Sequence, residues 1–259
     1  MTDIAQYNRQ AWDRQVAAGN QWTRPVTKEQ VDQARRGDWQ IVLTPTRPVP
    51  RDWFGDLTGR QVLCLASGGG QQAPLLAAAG ARVTVFDNSP AQLEQDAMVA
   101  RRDGLEIRTV QGDMRDLGAF PDQSFDLIVN PCSIGFVPDP LPVWREAARV
   151  LRPEGRLMTG FTQPLYYLFD YWQMEQGELF VKYSVPWSDQ RDLPAADLQK
   201  LKDADEPLEF GHTLADLIGG QLQYGLHIIG FYEDGWPDGP ARVLSDRINC
   251  FAATLATRG

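Results

Sequence analysis

Histidine is the scarcest reactive residue in this chain: there are two, His212 and His227, in 259 residues. Two isolated imidazoles leave little material for a histidine-built metal centre, and no carboxylate pair shows convincing metal spacing, so no metal site is expected. Cysteine is almost as rare. Cys64, Cys132 and Cys250 are odd in number, far apart and without a CxxC pair. That excludes a disulfide framework and a zinc ribbon, and reads as three reduced thiols. Basic charge is also short. Lys and Arg total 25 against 34 Asp and Glu, a net charge of −9. The only adjacent basic pairs are Arg35-Arg36 and Arg101-Arg102, so a phosphate-backbone binder is not expected and nucleic acid is not a predicted partner. No run of 18 apolar residues occurs, hence no helical membrane span. The opening MTDIAQYNRQAWDRQ has no apolar core and does not read as a secretory signal, so the cytoplasm is the expected compartment. Internal repeats and low-complexity segments are absent. What remains, 43% hydrophobic residues, suffices for one domain with an elaboration.

The stretch Gln61 to Asp87 organises the rest. Val62 to Leu65 is a short apolar run ending in Ala66-Ser67-Gly68-Gly69-Gly70. A helical pattern follows from Gln71 to Ala79, closed by Gly80. A second apolar run, Val83 to Phe86, stops on Asp87. Three glycines without Cβ atoms let the backbone turn sharply and let a ligand approach it. The following helix turns free N–H groups and a positive dipole end toward that turn. Asp87, ending the second strand, is placed to accept from both hydroxyls of a ribose, a geometry of nucleoside-containing cofactors.

Around this unit the chain divides into four stretches. Residues 1–58 form an N-terminal extension. It has a weak helix from Ile4 to Ala18, a Thr27-capped helix closed by Gly37, and a proline-rich extended run from Ile41 to Phe54. Its tryptophans Trp12, Trp22 and Trp39 pack the extension onto the main domain, or, in the sharper reading, Tyr7, Trp12 or Trp22 folds over the cofactor turn. Residues 59–162 alternate strand and helix: a helix from Ser89 or Pro90 through Arg102, a strand Glu106–Val110, a buried strand Phe125–Val129, a helix Pro142–Leu151 and a strand Arg156–Phe161. The alternation predicts an α/β fold with a parallel sheet covered on both faces. Residues 163–208 break the rhythm and are rich in aromatics (Tyr166, Tyr167, Phe169, Tyr171, Trp172, Phe180, Tyr183, Trp187), which reads as an inserted cap. In 209–259, Thr213 caps a helix through Gln223, with Asp216 as a capping-box partner. Leu226–Tyr232 and Asp246–Ala256 follow as strands. The expected whole is a doubly wound seven-stranded, mostly parallel sheet with an antiparallel last strand.

These motifs resemble the class I, Rossmann-like S-adenosylmethionine-dependent methyltransferases. Leu63 to Gly70 is similar to the family's cofactor loop, Asp87 to its ribose-binding acid, and Gly112-Asp113-Met114 to the acid that meets the adenine amino group. Phe125 to Asn130 is similar to the fourth-strand motif, and Leu151 to Leu157 to the turn before the fifth strand. The resemblance implies S-adenosyl-L-methionine held by Ala66, Ser67, Gly68, Gly70, Gln71, Asp87, Asn88, Asp113, Met114 and Asn130. Two positions depart from the family. Cys64 stands where an acid is usual, and Ala66 stands where the first glycine is usual, although alanine resists positive φ. The contact the missing acid would make is expected from turn carbonyls or the N-terminal extension. A dinucleotide fingerprint fits less well, because Gln71 occupies its third glycine position.

The resemblance implies an in-line methyl transfer to a small molecule, helped by proximity and by a general base for a phenol, thiol or activated carbon. His212 and Tyr7 are the candidate catalytic groups, and capping or surface roles for His212 stand beside that reading. His227 reads as structural. Trp22, Ser133, Tyr166 and Tyr171 are candidate acceptor-binding residues, aromatic walls suiting a flat ring or an amine. Aminopropyl transfer, a macromolecular acceptor and a non-catalytic nucleoside-binding module remain as alternatives.

Overall fold

The structure, a computed structural model, describes residues 3–259. Five strands form its centre: β1 (Gln61–Leu65), β2 (Arg82–Asp87), β3 (Ile107–Gln111), β4 (Phe125–Asn130) and β5 (Leu151–Thr162). Two residue pairs, β6 (Trp187–Ser188) and β7 (Phe210–Gly211), make a separate antiparallel ladder. β8 (Leu226–Asp234) and β9 (Phe251–Arg258) complete a seven-stranded sheet of order β3-β2-β1-β4-β5-β9-β8. The first five strands pair parallel, and β9 pairs antiparallel to both β5 and β8. The mostly parallel, doubly wound sheet with an antiparallel last strand is therefore the observed fold.

Alternation along each strand explains why the sheet is covered twice. Val62 and Cys64 of β1 face one core with Val83, Val85, Leu127 and Val129. Leu63 and Leu65 face the other with Phe86, Ile128, Leu157 and Phe161. Helices cover both faces, since a parallel crossover must pack a helix back on the sheet. They include α1 (Ile4–Ala17), α2 (Lys28–Arg35), α3 (Gln72–Ala78), α4 (Pro90–Asp103) and α5 (Leu141–Val150).

Three local differences from the sequence reading have clear causes. The last strand begins at Phe251 rather than Asp246, because Arg242–Ser245 closes a helical turn and the polar residues after it continue outside the sheet. The helix after Thr213 opens as a π turn over Ala215–Gly219 before continuing as Gly220–Gln223. The Thr213 hydroxyl exchanges hydrogen bonds with Asp216 there, at 2.7 Å to the carboxylate and 3.1 Å from the amide. β5 is longer than expected because Leu151 pairs with Phe125 before the strand is displaced at Glu154, whose φ is +60°.

β1 lies between β2 and β4, so the connections leaving its carboxyl end run to opposite sides. That is the switch point at which open α/β sheets place their ligands. Helix α1 lies beside α4 at this edge. Its buried face carries Asn8, Ala11 and Gln15, and its Asp13 carboxylate accepts from Ser89 Oγ at 2.6 Å and the Ala91 amide at 3.2 Å, capping α4.

Candidate active site

A cavity of about 290 Å³ opens at the switch point. Its walls come from the carboxyl ends of the parallel strands: Ala66, Ser67 and Gly68 after β1, Phe86 and Asp87 of β2, Gly112 to Arg115 after β3, Pro131 to Ser133 after β4, and Thr162 of β5. The N-terminal extension contributes Ile4, Ala5, Asn8, Trp12 and Trp22. The segments after β5 contribute Tyr166, Tyr167 and Glu209.

The glycine turn is held from below by carboxylates. The Gly68 amide donates to Asp87 Oδ2 at 2.9 Å, while Asp87 Oδ1 accepts from the Ser89 amide at 2.9 Å. Burial nonetheless raises the Asp87 pKa above the ordinary aspartate value. One amide on each oxygen leaves further lone pairs for a ligand's hydroxyls. The Gly69 amide donates to Asp96 Oδ2 at 3.1 Å. Asp96 is fully buried in α4, and burial pushes its pKa well up. Cys64, where an acid is usual, is buried on the same side and feels the Asp96 charge. A carboxylate therefore does reach the turn, from α4 rather than from β1. Ala66 takes φ +45° at the turn's entry, at a cost of about 1–2 kcal/mol for an L residue.

Two close approaches shape the floor. A Cβ on Gly68 would lie 2.6 Å from Gln92 Cβ, and one on Gly112 would lie 2.2 Å from Phe86 Cζ, so neither position accepts a side chain in this packing. Gln92 lines the cavity with its Oε1 buried and without a partner. An orphaned acceptor of this kind costs about 1–3 kcal/mol unless a donor arrives. Asp113 is gripped by Arg115, whose Nε lies 3.0 Å from both carboxylate oxygens. Against the burial that would raise it, those bonds hold Asp113 below its usual pKa.

The residues read from the sequence fall into two groups. Ala66, Ser67, Gly68, Gln71, Asp87, Asn88, Asp113, Met114, Trp22, Ser133 and Tyr166 share the cavity wall. Gly70, Asn130, Tyr7, Tyr171 and His212 are not on it. The Gly70 carbonyl accepts from the Val26 amide at 2.9 Å, tying the extension to the turn. Asn130 is completely buried behind the wall, donating to Leu65 O at 2.8 Å and Ser133 Oγ at 2.7 Å and accepting from Thr159 Oγ1 at 2.8 Å. The Tyr7 hydroxyl donates to Glu206 O at 3.2 Å, and Tyr171 is exposed at 41%. His212 Nε2 lies 3.1 Å from Ile134 O, and burial lowers the pKa of the ring. Of the eight aromatics in 163–208, only Tyr166 and Tyr167 reach the cavity. Tyr171 with Trp172, and Tyr183 with Trp187, pair with each other instead.

The sequence reading did not single out Asp96, Gln92 or Glu209. Glu209 lines the cavity and accepts at 3.2 Å from the hydroxyl of Tyr167, which follows β5, three places along the sheet from the strand of Asp87. Burial, with the Asp189 charge added, pushes its pKa up to about 8. Among the described residues there is no cluster of three or more His, Cys, Asp or Glu able to hold a metal ion, and no helix is long and apolar enough to cross a membrane.

Residues 63–159 match the family described as a methyltransferase domain. The chain is 49% identical over 258 residues to the uncharacterized methyltransferase YbaJ of Bacillus subtilis (strain 168), covering 100% of both. It is 39% identical over 126 residues to the ubiquinone biosynthesis O-methyltransferase of Xanthomonas oryzae pv. oryzae (strain PXO99A), a match of 46% of this chain and 51% of that protein. Among solved structures, the S-adenosylmethionine-dependent methyltransferase from Mesorhizobium loti superposes with a TM-score of 0.61 at 17% identity, over 80% of this chain and 95% of that one. The geranyl diphosphate C-methyltransferase from Streptomyces coelicolor A3(2), solved with Mg2+, geranyl diphosphate and S-adenosyl-L-homocysteine, gives 0.59 at 16% identity over 100% and 99%. At these identities the two structures share a fold with this chain.

Proposed function

This chain belongs to the class I, Rossmann-like S-adenosylmethionine-dependent methyltransferases, and from that premise we propose that it methylates a small molecule held in the cavity between Asp87 and Glu209. The observation that carries the reading is the two-ended cavity. One end has hydrogen-bonding groups suited to a nucleoside with an amino acid tail. The other has phenols, a thiol and a carboxyl group. When bound, S-adenosyl-L-methionine supplies a methyl group on a positively charged sulfur.

The residues present fit that cofactor. Asp87 has acceptor capacity for ribose hydroxyls. The unpartnered Oε1 of Gln92 beside the glycine turn calls for a donor. Ser67, Gly68 and Asp113 complete the same end of the wall. At the other end Ser133, Tyr166, Tyr167 and Cys132 surround the acceptor. Walls from the extension, Trp12 and Trp22, cover the region from above and limit water. Excluding water strengthens each electrostatic contact inside and keeps the methyl group from hydrolysis. A cavity of about 290 Å³ walled by α1 and the insertion suits a small acceptor better than a folded protein or nucleic acid. The similarity to the ubiquinone O-methyltransferase covers only half of each chain, so it supports the cofactor end and not a particular acceptor.

The test has two stages. Titration calorimetry with S-adenosylmethionine and S-adenosylhomocysteine should show binding of both, and failure to bind either sinks the reading. S-adenosylhomocysteine formation is then followed with small-molecule acceptors. Binding without turnover would instead favour a nucleoside sensor.

A further inference from the structure

The acceptor end of the cavity carries one carboxyl group that no cation neutralises. Glu209 precedes β7, and its backbone is locked to the insertion. Its amide donates to Asp189 Oδ2 at 2.7 Å, and its carbonyl accepts from the Asp189 amide at 3.1 Å. The side chain lines the cavity and accepts from the Tyr167 hydroxyl. Among the described residues, Glu209 is in no ion pair with Lys, Arg or His. The titratable groups around it are Tyr166 and Tyr167 after β5, Tyr171 of the next helical turn, Asp189 and Glu206 of the insertion, and Cys132 after β4. None of these is cationic at neutral pH. Burial pushes the three phenols and the thiol up, so they keep their protons, and Glu209, at about 8, is the group among these five that ionises first.

We infer that Glu209, oriented by Tyr167, is the proton acceptor of the methyl transfer, and that the acceptor is a small molecule reacting through an O–H or N–H group. This rests on reading the cavity as a methyl-transfer site. The acceptor's oxygen or nitrogen forms a bond to the methyl carbon. The carbon–sulfur bond breaks, and its electron pair stays on the now neutral sulfur. The acceptor's proton passes to a Glu209 oxygen, and from there to solvent after product leaves. A base with a pKa near the working pH is best matched to such a transfer, and positioned bases of this kind contribute about 10²- to 10⁴-fold. His212, the imidazole nearest in sequence, is engaged with Ile134 O and stands off the wall.

Three readouts test this on the full chain: wild type, Glu209→Gln and Tyr167→Phe. In the S-adenosylhomocysteine complex, infrared difference spectra should show a protonated carboxyl band that titrates near pH 8 and is missing in E209Q. Calorimetry should give E209Q an unchanged affinity for S-adenosylhomocysteine within twofold. With S-adenosylmethionine and a panel of phenols, catechols, amines and carbon nucleophiles, kcat for E209Q should fall about 100-fold or more. Wild-type kcat should rise with pH and level off above about 8. Y167F should stay active with that rise moved to higher pH, because it removes a hydrogen bond that holds the carboxyl group's pKa down. The assignment is overturned if the band persists in E209Q, if E209Q turns over within threefold of wild type, or if only KM changes. It is also overturned if carbon nucleophiles alone are methylated. Loss of all cofactor binding by wild type would instead remove the reading on which the assignment rests.

Discussion

At the scale of single residues, the glycine turn is held by two carboxyl groups with different tasks. Asp87 faces the cavity and has free acceptor capacity, so Asp87→Ala should weaken S-adenosylhomocysteine binding at least tenfold by calorimetry, about 1.4 kcal/mol. An unchanged affinity would remove Asp87 from the site. Asp96 never reaches the cavity wall. Its Asp96→Ala variant removes the side-chain acceptor of the Gly69 amide and leaves it the Gln92 carbonyl alone, at 3.1 Å, at an expected cost of about 1 kcal/mol. Asp96→Asn keeps an acceptor and should stay close to wild type in a denaturant melt, and equal losses in both variants would contradict this account. Asp87 was legible in the sequence because a strand end after a glycine turn has one stereotyped geometry. Asp96 was not. It sits 27 positions from the amide it serves, inside QLEQDAMVA, where it reads like any surface acid of an amphipathic helix. Glu209 was hidden in the same way by the acidic run before it. What makes it reactive is the company of Tyr167 and Asp189, which only the fold brings together.

At the scale of elements, the sheet could be read because buried parallel strands are nearly all apolar, whereas the seating of helix α1 could not. Its inward stripe is Asn8, Ala11 and Gln15, two amides around one methyl group, so no hydrophobic period marks it. The stripe works by hydrogen bonding. Asn8 Nδ2 donates to Phe136 O and Leu208 O, each at 3.0 Å, and its Oδ1 accepts from the Leu208 amide at 2.8 Å. One side chain thus joins the extension to the loop after β4 and to the end of the insertion. Asn88 Nδ2 adds a bond to Ala5 O at 2.7 Å, and Trp12 packs edge-on against Phe136 at 5.2 Å. Asn8→Ala should therefore lower stability by about 2 kcal/mol through the Leu208 amide and two carbonyls left unpaired. It should also loosen the seating of α1, with cofactor affinity dropping several-fold and α1 amides exchanging faster with deuterium. Normal protection of α1 in that variant would show that the aromatic packing alone seats the helix.

At the scale of the whole molecule, two sets of carboxyl groups set how stability changes with pH. Glu146, through its hydrogen bonds from Arg149, and Asp192, through those from Arg191, are held below their usual pKa. Their contribution is present above the unfolded values and is lost as acid protonates them. Glu209, Asp87, Asp96 and Asp189 are raised, each chiefly by burial. For these the sign reverses. Between the unfolded glutamate value and about 8, folded Glu209 keeps a proton that the unfolded chain has released, so stability falls as pH rises through that window. The full slope for one such group is about 1.4 kcal/mol per pH unit. Because Glu209 is only partly buried, we expect a smaller total, a Tm difference of about 2–5 °C accumulated between pH 5 and 9. Glu209→Gln, neutral at every pH, should flatten the curve over that interval and be the more stable form at pH 9. Parallel melting curves for the two proteins would contradict both the raised pKa and its assignment to this residue. A gain in stability together with a loss of turnover is the pattern expected when a fold keeps a poorly solvated acid for its chemistry rather than for its packing.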